Sequence, residues 1–222
     1  MPVTINGNGH ISGLVVGGLP DGSVDADTLA THAVTTNKIA NSAVTAAQTS
    51  GLGGLSMVDI WDLNHVAQGN AGTEITLGNT STYNGGIAAW TRATWSATIG
   101  SAMSVSNEVF TFPSTGIYEI QFTMQTWNQS NVQNNYVYAR IYITTNNGSN
   151  WYARSADGTN AIANGSTVYT HNRAAYIFDV TDTSTHKVKF TKQSAQIATV
   201  NGDASSDNNL YTYVIFKKLG DT

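Results

Sequence analysis

Residues Gly116–Trp127, GIYEIQFTMQTW, carry the clearest structural signal in the chain. Tyr118, Ile120, Phe122 and Met124 stand at every second position of this stretch, and the positions between them are mostly polar. Successive side chains of a β-strand point to opposite faces of a sheet. The stretch therefore predicts a long strand with one buried face and one face that is partly open to solvent.

Similar alternating or β-branched runs, bounded by Asn, Gly, Ser and Asp, occur on both sides of this stretch. These runs are Val58–Val66, Val109–Phe112, Tyr136–Thr145, Trp151–Ser155, Ala174–Val180, Lys187–Lys192 and Leu210–Leu219. All 5 Trp, 10 Tyr and 6 Phe lie in this part of the chain, and none of it shows a 3.6-residue period. Residues 57–222 are therefore predicted to form an all-β head, a jelly-roll β-sandwich.

The aromatic residues of the head are interpreted mainly as structural. Trp61, Trp90, Trp95 and Trp127 are predicted to be core or subunit contacts, because large aromatic side chains dominate the burial in cores and interfaces. Trp151 follows a predicted turn at Asn146–Ser149.

The composition points to a polar but weakly charged surface. The chain has 222 residues, of which 10 are basic and 14 acidic, and the charged fraction is 11%. The usual fraction is about 25%. Nucleic acid is not expected as a partner, because phosphate binding needs clustered Lys and Arg. Lys187, Lys189 and Lys192, and the pair Lys217 and Lys218, are predicted to lie on solvated strand faces. No apolar run is long enough to predict membrane insertion, and no secretory leader is expected.

Residues 23–52 form a repeat, which reads SVDADTLATH, AVTTNKIANS and AVTAAQTSGL. Its large apolar residues recur every five positions: Val24, Leu29, Val34, Ile39 and Val44. A step of five scatters side chains around an α-helix and alternates them between the faces of a strand. The repeat therefore predicts a short extended piece followed by one helical turn per unit.

A single copy of this repeat is not expected to fold alone. Two large apolar side chains per ten residues contribute less than the backbone entropy lost on ordering those ten residues. We predict a stalk that forms only when three chains wind together and the head holds them. The predicted organisation is a Gly-rich N-terminal segment at 1–22, a repeat stalk and Gly-rich linker at 23–56, and the head at 57–222.

The head resembles a known class of domains. FTFPSTGIY at Phe110–Tyr118, AYIFDV at Ala175–Val180 and YTYVIFKKL at Tyr211–Leu219 resemble strands of tumour-necrosis-factor-like and complement-globular-head-like domains. The resemblance covers about residues 58–219. It implies a compact jelly-roll head that assembles as a homotrimer.

The N-terminal part resembles a second class. TING at Thr4–Gly7, GLPDGSVDADTLA at Gly18–Ala30 and AVTTNKIA at Ala33–Ala40 resemble tail-fibre and related proteins of bacteriophages, notably marine ones. This resemblance implies a fibre on the tail or capsid exterior of a virion. It also implies that residues 1–22 dock on another virion structural protein.

Motifs for catalysis and metal binding are absent from the sequence. There is no Cys, no G-x-S-x-G and no H-E-x-x-H, so we predict that the protein is not an enzyme. Asp179 and Asp182 flank the turn 181–185 and are expected to cap its backbone. Asp203 and Asp207 lie in an Asn-rich loop whose oxygens would suit Ca²⁺, but the spacing is not that of an EF-hand. A solvated loop is preferred there, and no cofactor or metal is predicted.

Loop order predicts which end of the head is used for binding. In an antiparallel sandwich alternate loops lie at the same end. In domains of the class that the head resembles, both termini lie at the base, so this resemblance implies that the loops at 128–135, within 156–172 and at 195–209 gather far from the stalk. The turns at 146–149 and 181–185 are expected at the base, which argues against a receptor role for Trp151.

The long, polar loops suit recognition of a cell-surface glycan or protein, and we predict that they bind the host. The predicted receptor-binding residues are Asn128, Gln129, Asn131, Gln133, Asn134, Asn160, Tyr169, Asn201, Asp203, Asp207 and Asn208. The alternative is a capsid fibre or decoration protein with a purely structural role.

Overall fold

The computed structural model describes residues 4–5, 11–12, 34–35, 39, 55–78, 82–83, 86–87, 89–93, 98–129, 131–202 and 209–222. Contacts divide the chain into two units, Met1–Ser50 and Gly51–Thr222. Of the predicted stalk positions, Val34 and Ile39 are described and exposed, whereas Val24, Leu29 and Val44 lie outside the described residues. The helical turn predicted for each repeat therefore stays a prediction.

The described strands of the first unit have two residues each, and those of the second unit range from two to 13 residues. They are β1 (Thr4–Ile5), β2 (Ile11–Ser12), β3 (Met57–Leu63), β4 (Ala67–Gln68), β5 (Ile75–Thr76), β6 (Thr82–Tyr83), β7 (Gly86–Ile87), β8 (Trp90–Arg92), β9 (Ser104–Ser106), β10 (Val109–Thr111), β11 (Gly116–Asn128), β12 (Gln133–Thr144), β13 (Tyr152–Ile162), β14 (Val168–Val180), β15 (Lys187–Ser194), β16 (Thr199–Val200) and β17 (Tyr213–Gly220). Strands β1 and β2 pair with each other in the first unit. Within the described part of the chain there is no helix, and thus none that could cross a membrane.

Two large antiparallel sheets build the head, and β6 and β7 pair separately with each other. The first sheet has the order β13-β12-β15-β10-β9, and β5 pairs with β15. The second sheet has the order β4-β16-β11-β17-β3-β8, and β14 pairs with the other edge of β11. This arrangement confirms the predicted all-β jelly-roll sandwich.

The core lies between the two sheets and is rich in aromatic rings. Phe110 is its centre, with ring centroids 5.5 Å from Trp61, 5.6 Å from Phe190 and 5.2 Å from Phe216. Trp90 also packs edge-on against Phe110. Trp61 and Trp90 are buried, so the prediction of core positions is confirmed for these two residues, and Trp95 lies outside the described residues.

Strand β11 crosses this core with the predicted alternation. Tyr118, Ile120, Phe122 and Met124 are all completely buried, and each faces the first sheet's side of the sandwich. The strand pairs along its whole length with β14 and over Ile117–Thr123 with β17. It therefore holds the second sheet together.

Lys192 contradicts the prediction of a solvated face for the lysines of β15. Lys187 and Lys189 are only half-buried, but Lys192 is completely buried because it shares the inward phase of Val188 and Phe190. Its Nζ has no hydrogen-bond partner among the described residues. Burial lowers the pKa of the Lys192 amine to about 8.

Asp59 is a buried carboxylate with a structural role. Its Oδ1 pairs with Arg92 Nε at 3.0 Å, and its Oδ2 accepts hydrogen bonds from Trp61 Nε1 at 2.9 Å and from the Met103 amide at 2.8 Å. Arg92 Nη2 in turn donates to the Met103 carbonyl at 3.2 Å. The buried charge is therefore paired and hydrogen-bonded, as a charge inside a protein must be.

Candidate recognition surface

Three segments meet at one end of the sandwich, and we name residues 129, 131–132, 163–167 and 195–202 the tip. The Ala163 amide donates to the Val132 carbonyl at 3.1 Å, and the Gln196 amide donates to Asn134 Oδ1 at 2.5 Å. At the opposite end the Asn147 amide donates to the Thr185 carbonyl at 2.9 Å. These bonds confirm the predicted grouping of alternate loops for the described residues.

The head begins at the end opposite the tip. Met57 opens β3 and pairs with Lys218, close to the end of β17 at Gly220. The turn that Asp182 caps lies at this end as well, where the Ser184 amide and hydroxyl both donate to Asp182 Oδ1. These two hydrogen bonds confirm the capping role predicted for Asp182, and they lower the pKa of its carboxyl.

Two of the predicted contact residues lie inside the protein and not on its surface. Asn128 and Asn134 are completely buried. Asn128 Nδ2 donates to the Ala161 carbonyl at 2.8 Å, and Asn134 Nδ2 donates to Asn128 Oδ1 at 3.0 Å. Together with the bond from Gln196, this amide network ties the loops of the tip to one another. The prediction of surface contact is wrong for both asparagines, because their amides satisfy buried backbone groups.

Turn geometry fixes the outer part of the tip. Asn131 has φ 67° and Gly165 has φ 76°. The Gly165 amide donates to Asn131 Oδ1 at 3.2 Å, which links the two turns. A left-handed conformation at Asn and Gly costs little, so these residue types suit their positions.

The other predicted contact residues divide into two groups. Exposed positions at or beside the tip are Gln129, Asn131, Gln133, Asn160 and Tyr169, and Asn201 is half-buried. Asp203, Asp207 and Asn208 lie outside the described residues. Among the described residues no group of three or more His, Cys, Asp and Glu could hold a metal ion.

A row of side chains crosses the outer face of the second sheet beside the tip. Tyr169 of β14 pairs with Trp127 of β11, Trp127 pairs with Thr199 of β16, and Thr199 pairs with Gln68 of β4. Residues that pair directly across a sheet point to the same face. Trp127, predicted as a core or subunit contact, is half-buried and stands in this outer row.

Gln68 is a functional candidate that the sequence did not reveal, and Thr199, which is 2% exposed, holds its amide through a hydrogen bond. Both lie on strands of two residues, β4 and β16, which are too short for a periodic signal. Only the pairing of β16 with β11, and of β4 with β16, places them beside Trp127.

Toward the opposite end the same face becomes apolar. Ile60, Ile215, Gln121 and Ala175 form one row through direct pairing across β3, β17, β11 and β14. The next row consists of Val58, Lys217, Glu119 and Ile177. We name these two rows the apolar patch.

Comparisons with known proteins identify no family for this chain. No family model and no curated protein matches it. It is similar to the crystal structure of murine APRIL at pH 5.0, with 10% sequence identity and a TM-score of 0.47 over 73% of this chain and 98% of that one. It is also similar to Eiger TNF from S. frugiperda, with 8% identity and a TM-score of 0.45 over 72% of this chain and 95% of that one.

Proposed function

We propose that the chain is a homotrimeric, non-enzymatic adhesion protein. Three heads associate through the apolar patch, and the tip of each head binds a partner on a cell surface. The observation that carries the proposal is the division of one sheet face into an apolar half and a polar, aromatic half that adjoins the tip.

The apolar patch supports association with further copies of the chain. Ile177 is 52% exposed, and the side chains of Ile60 and Ile215 are half-buried. The charges inside the patch are already paired, since Lys217 Nζ lies 3.0 Å from Glu119 Oε2. Aliphatic side chains around one internal ion pair need no oppositely charged partner, which suits contact with another copy of the same chain.

The outer face of the first sheet is less suited to contact between subunits. Arg140 Nη1 pairs with Glu74 Oε1 at 3.0 Å, and the Arg140 guanidinium also covers the Tyr138 ring at 4.7 Å. Lys189 Nζ lies 4.6 Å from the centre of the Trp151 ring. This face is thus covered by charged side chains that stay near water, as expected for a solvated surface.

The trimer is also supported by the repeat at 23–52, which lacks the apolar content to fold as one chain. A head that trimerises would bring three stalks together. The proposal places the protein on the exterior of a virion, where residues 1–22 dock on another virion protein. That part rests on the resemblance of residues 4–40 to bacteriophage fibres.

Cell binding by tip variants tests the adhesive function. We expect the replacement Tyr169→Ala, combined with Asn131→Ala, to abolish binding to host cells and to leave the mass in solution unchanged. Tyr152→Ala is the matched control, because Tyr152 is 47% exposed, near the 58% of Tyr169, but begins β13 at the opposite end. Equal binding by the tip variant and the control would contradict adhesion through the tip. No binding of host cells by the wild type itself, with labelled protein found on the capsid, would favour the structural alternative.

A further inference from the structure

A recess of about 270 Å³ lies beside the tip on the outer face of the second sheet. Its lining residues are Gln68, Trp127, Gln129, Val132, Ile197 and Thr199. Sites for drug-sized ligands typically measure about 300–1,000 Å³. The recess is therefore suited to a small group, of the size of one ring.

The lining combines an aromatic and aliphatic surface with two amides. Trp127, Val132 and Ile197 supply the apolar part, and Ile197 is 49% exposed. Gln68 and Gln129 each carry an amide that donates and accepts hydrogen bonds. Gln68 Nε2 donates to Thr199 Oγ1 at 2.9 Å, which orients that amide at the wall of the recess.

This combination matches the chemistry of a sugar ring. A pyranose has an apolar face of C–H groups and a rim of hydroxyls, and the C–H groups pack on the negative face of an indole. Its hydroxyls donate and accept, as do the amides of Gln68 and Gln129. Of the lining residues, all of which the structure describes, none is ionisable, so a charged sugar would find no counter-ion among them.

The recess is separate from the apolar patch. Trp127 lies six residues beyond Gln121 on β11. That is about 20 Å at a rise of about 3.3 Å per residue. Gln125 stands between them, where its amide contacts His171 Nε2 at 2.8 Å and accepts from Asn201 Nδ2 at 2.6 Å. A trimer contact centred on the patch therefore leaves a polar row before the recess begins.

We propose that this recess binds one neutral pyranose ring of a cell-surface glycan. The indole of Trp127 forms the stacking surface, and the amides of Gln68 and Gln129 bind the hydroxyls. The proposal deepens the adhesive function proposed above and rests on it.

The test is fluorine NMR of the full chain labelled with 5-fluorotryptophan. The Trp127 resonance is assigned with Trp127→Phe, and the protein is titrated with the methyl glycosides of glucose, galactose, mannose and N-acetylglucosamine. We expect at least one of these to shift the Trp127 resonance, with a dissociation constant of about 1 mM, and to leave Trp151 unmoved. N-acetylneuraminic acid, which is charged, should shift neither resonance.

Variants of the two glutamines test whether their amides contribute to glycoside binding. Gln129→Ala and Gln68→Ala should each weaken the response of Trp127 by about tenfold, as expected for loss of a hydrogen bond to a sugar. Trp151→Phe, at the opposite end of the head, is the control and should leave the response unchanged. The proposal is overturned if no neutral glycoside shifts the Trp127 resonance or if the charged sugar shifts it equally. It is also overturned if both glutamine variants bind the glycoside as tightly as the wild type.

The outcomes also separate this proposal from adhesion itself. If the tip variants lose cell binding but no glycoside shifts the Trp127 resonance, adhesion is supported and the sugar site is contradicted. If a glycoside shifts the Trp127 resonance and the intact protein does not bind cells, the sugar site is supported and adhesion is contradicted. Inhibition of cell binding by the same free glycoside would support both.

Discussion

At the scale of single residues, Lys192 is the most informative position. The lysine content of β15 predicts a solvated position for it, as for Lys187 and Lys189. However, Lys192 stands an odd number of positions from both, so its side chain points to the opposite face of the strand. Alternation alone places it with the buried Val188 and Phe190. The signal was present in the sequence, but the usual preference of Lys for water concealed it.

We expect Lys192→Met to stabilise the head at pH 7 by about 3 kcal/mol, which corresponds to the lowering of the pKa from 10.5 to about 8 at about 1.4 kcal/mol per unit. Below pH 8 the amine is charged in both states, so the wild type carries the full cost of burying it. Between about pH 8 and 10.5 only the unfolded state still binds the proton, and the wild type gains stability as the pH rises. Urea unfolding at pH 7 and pH 10 measures the difference, which should shrink at the higher pH. A Met variant no more stable than the wild type at pH 7 would contradict this account.

The buried amides of the tip provide a second prediction. Asn134→Ala removes the acceptor of the Gln196 amide and the donor to Asn128 Oδ1. Each buried group left without a partner costs about 1–3 kcal/mol. We expect a lower urea midpoint and faster hydrogen exchange at the Gln196 amide. Gln133→Ala, an exposed neighbour, is the control and should change stability by less than about 0.5 kcal/mol.

At the scale of elements, the central strands could be predicted and the edge strands could not. Strand β11 has a buried row and was placed within one residue of its observed end. Strand β13 continues to Ile162, seven residues beyond the predicted end at Ser155. The prediction missed this part because β13 is an edge strand and most of its residues are at least partly exposed. Such a strand needs no apolar alternation, so its pattern carries little information.

Strand β14 allows a test of the apolar patch. We expect Ile177→Asp to lower the mass in solution from trimer to monomer without unfolding, because it places a charge in the proposed contact. Ile162→Asp is a close control, since both isoleucines are 52% exposed but Ile162 ends β13 outside the patch. Sedimentation velocity measures the mass and circular dichroism the fold. A trimer with Asp at 177, or a monomer with Asp at 162, would argue against this contact surface.

At the scale of the whole molecule, the order of assembly can be tested by truncation. We expect a fragment that begins at Ser56 to remain trimeric, because the proposed contact lies within the head. Light scattering gives the mass of the fragment and of the full chain. A monomeric fragment beside a trimeric full chain would assign trimerisation to residues 1–55.

The sandwich and the grouping of its loops followed from the sequence, but the composition of the recess did not. Aromatic content and alternation predict two sheets, and loop order predicts which loops meet. The neighbours of Trp127 depend on which short strand lies beside β11, and residues such as Gln68 carry no local signal of that pairing. Polar residues near the tip also could not be sorted into exposed and buried ones, since Asn131 and Asn134 look alike in sequence.

The pairing of Met57 with Lys218 has a practical consequence. Both ends of the head's own chain lie at one pole, with the tip at the other. A biotin or affinity tag fused after residue 222 would therefore anchor the head on a sensor with its tip directed into solution. Molecules immobilised in this way would share one orientation, which random coupling through lysines cannot give.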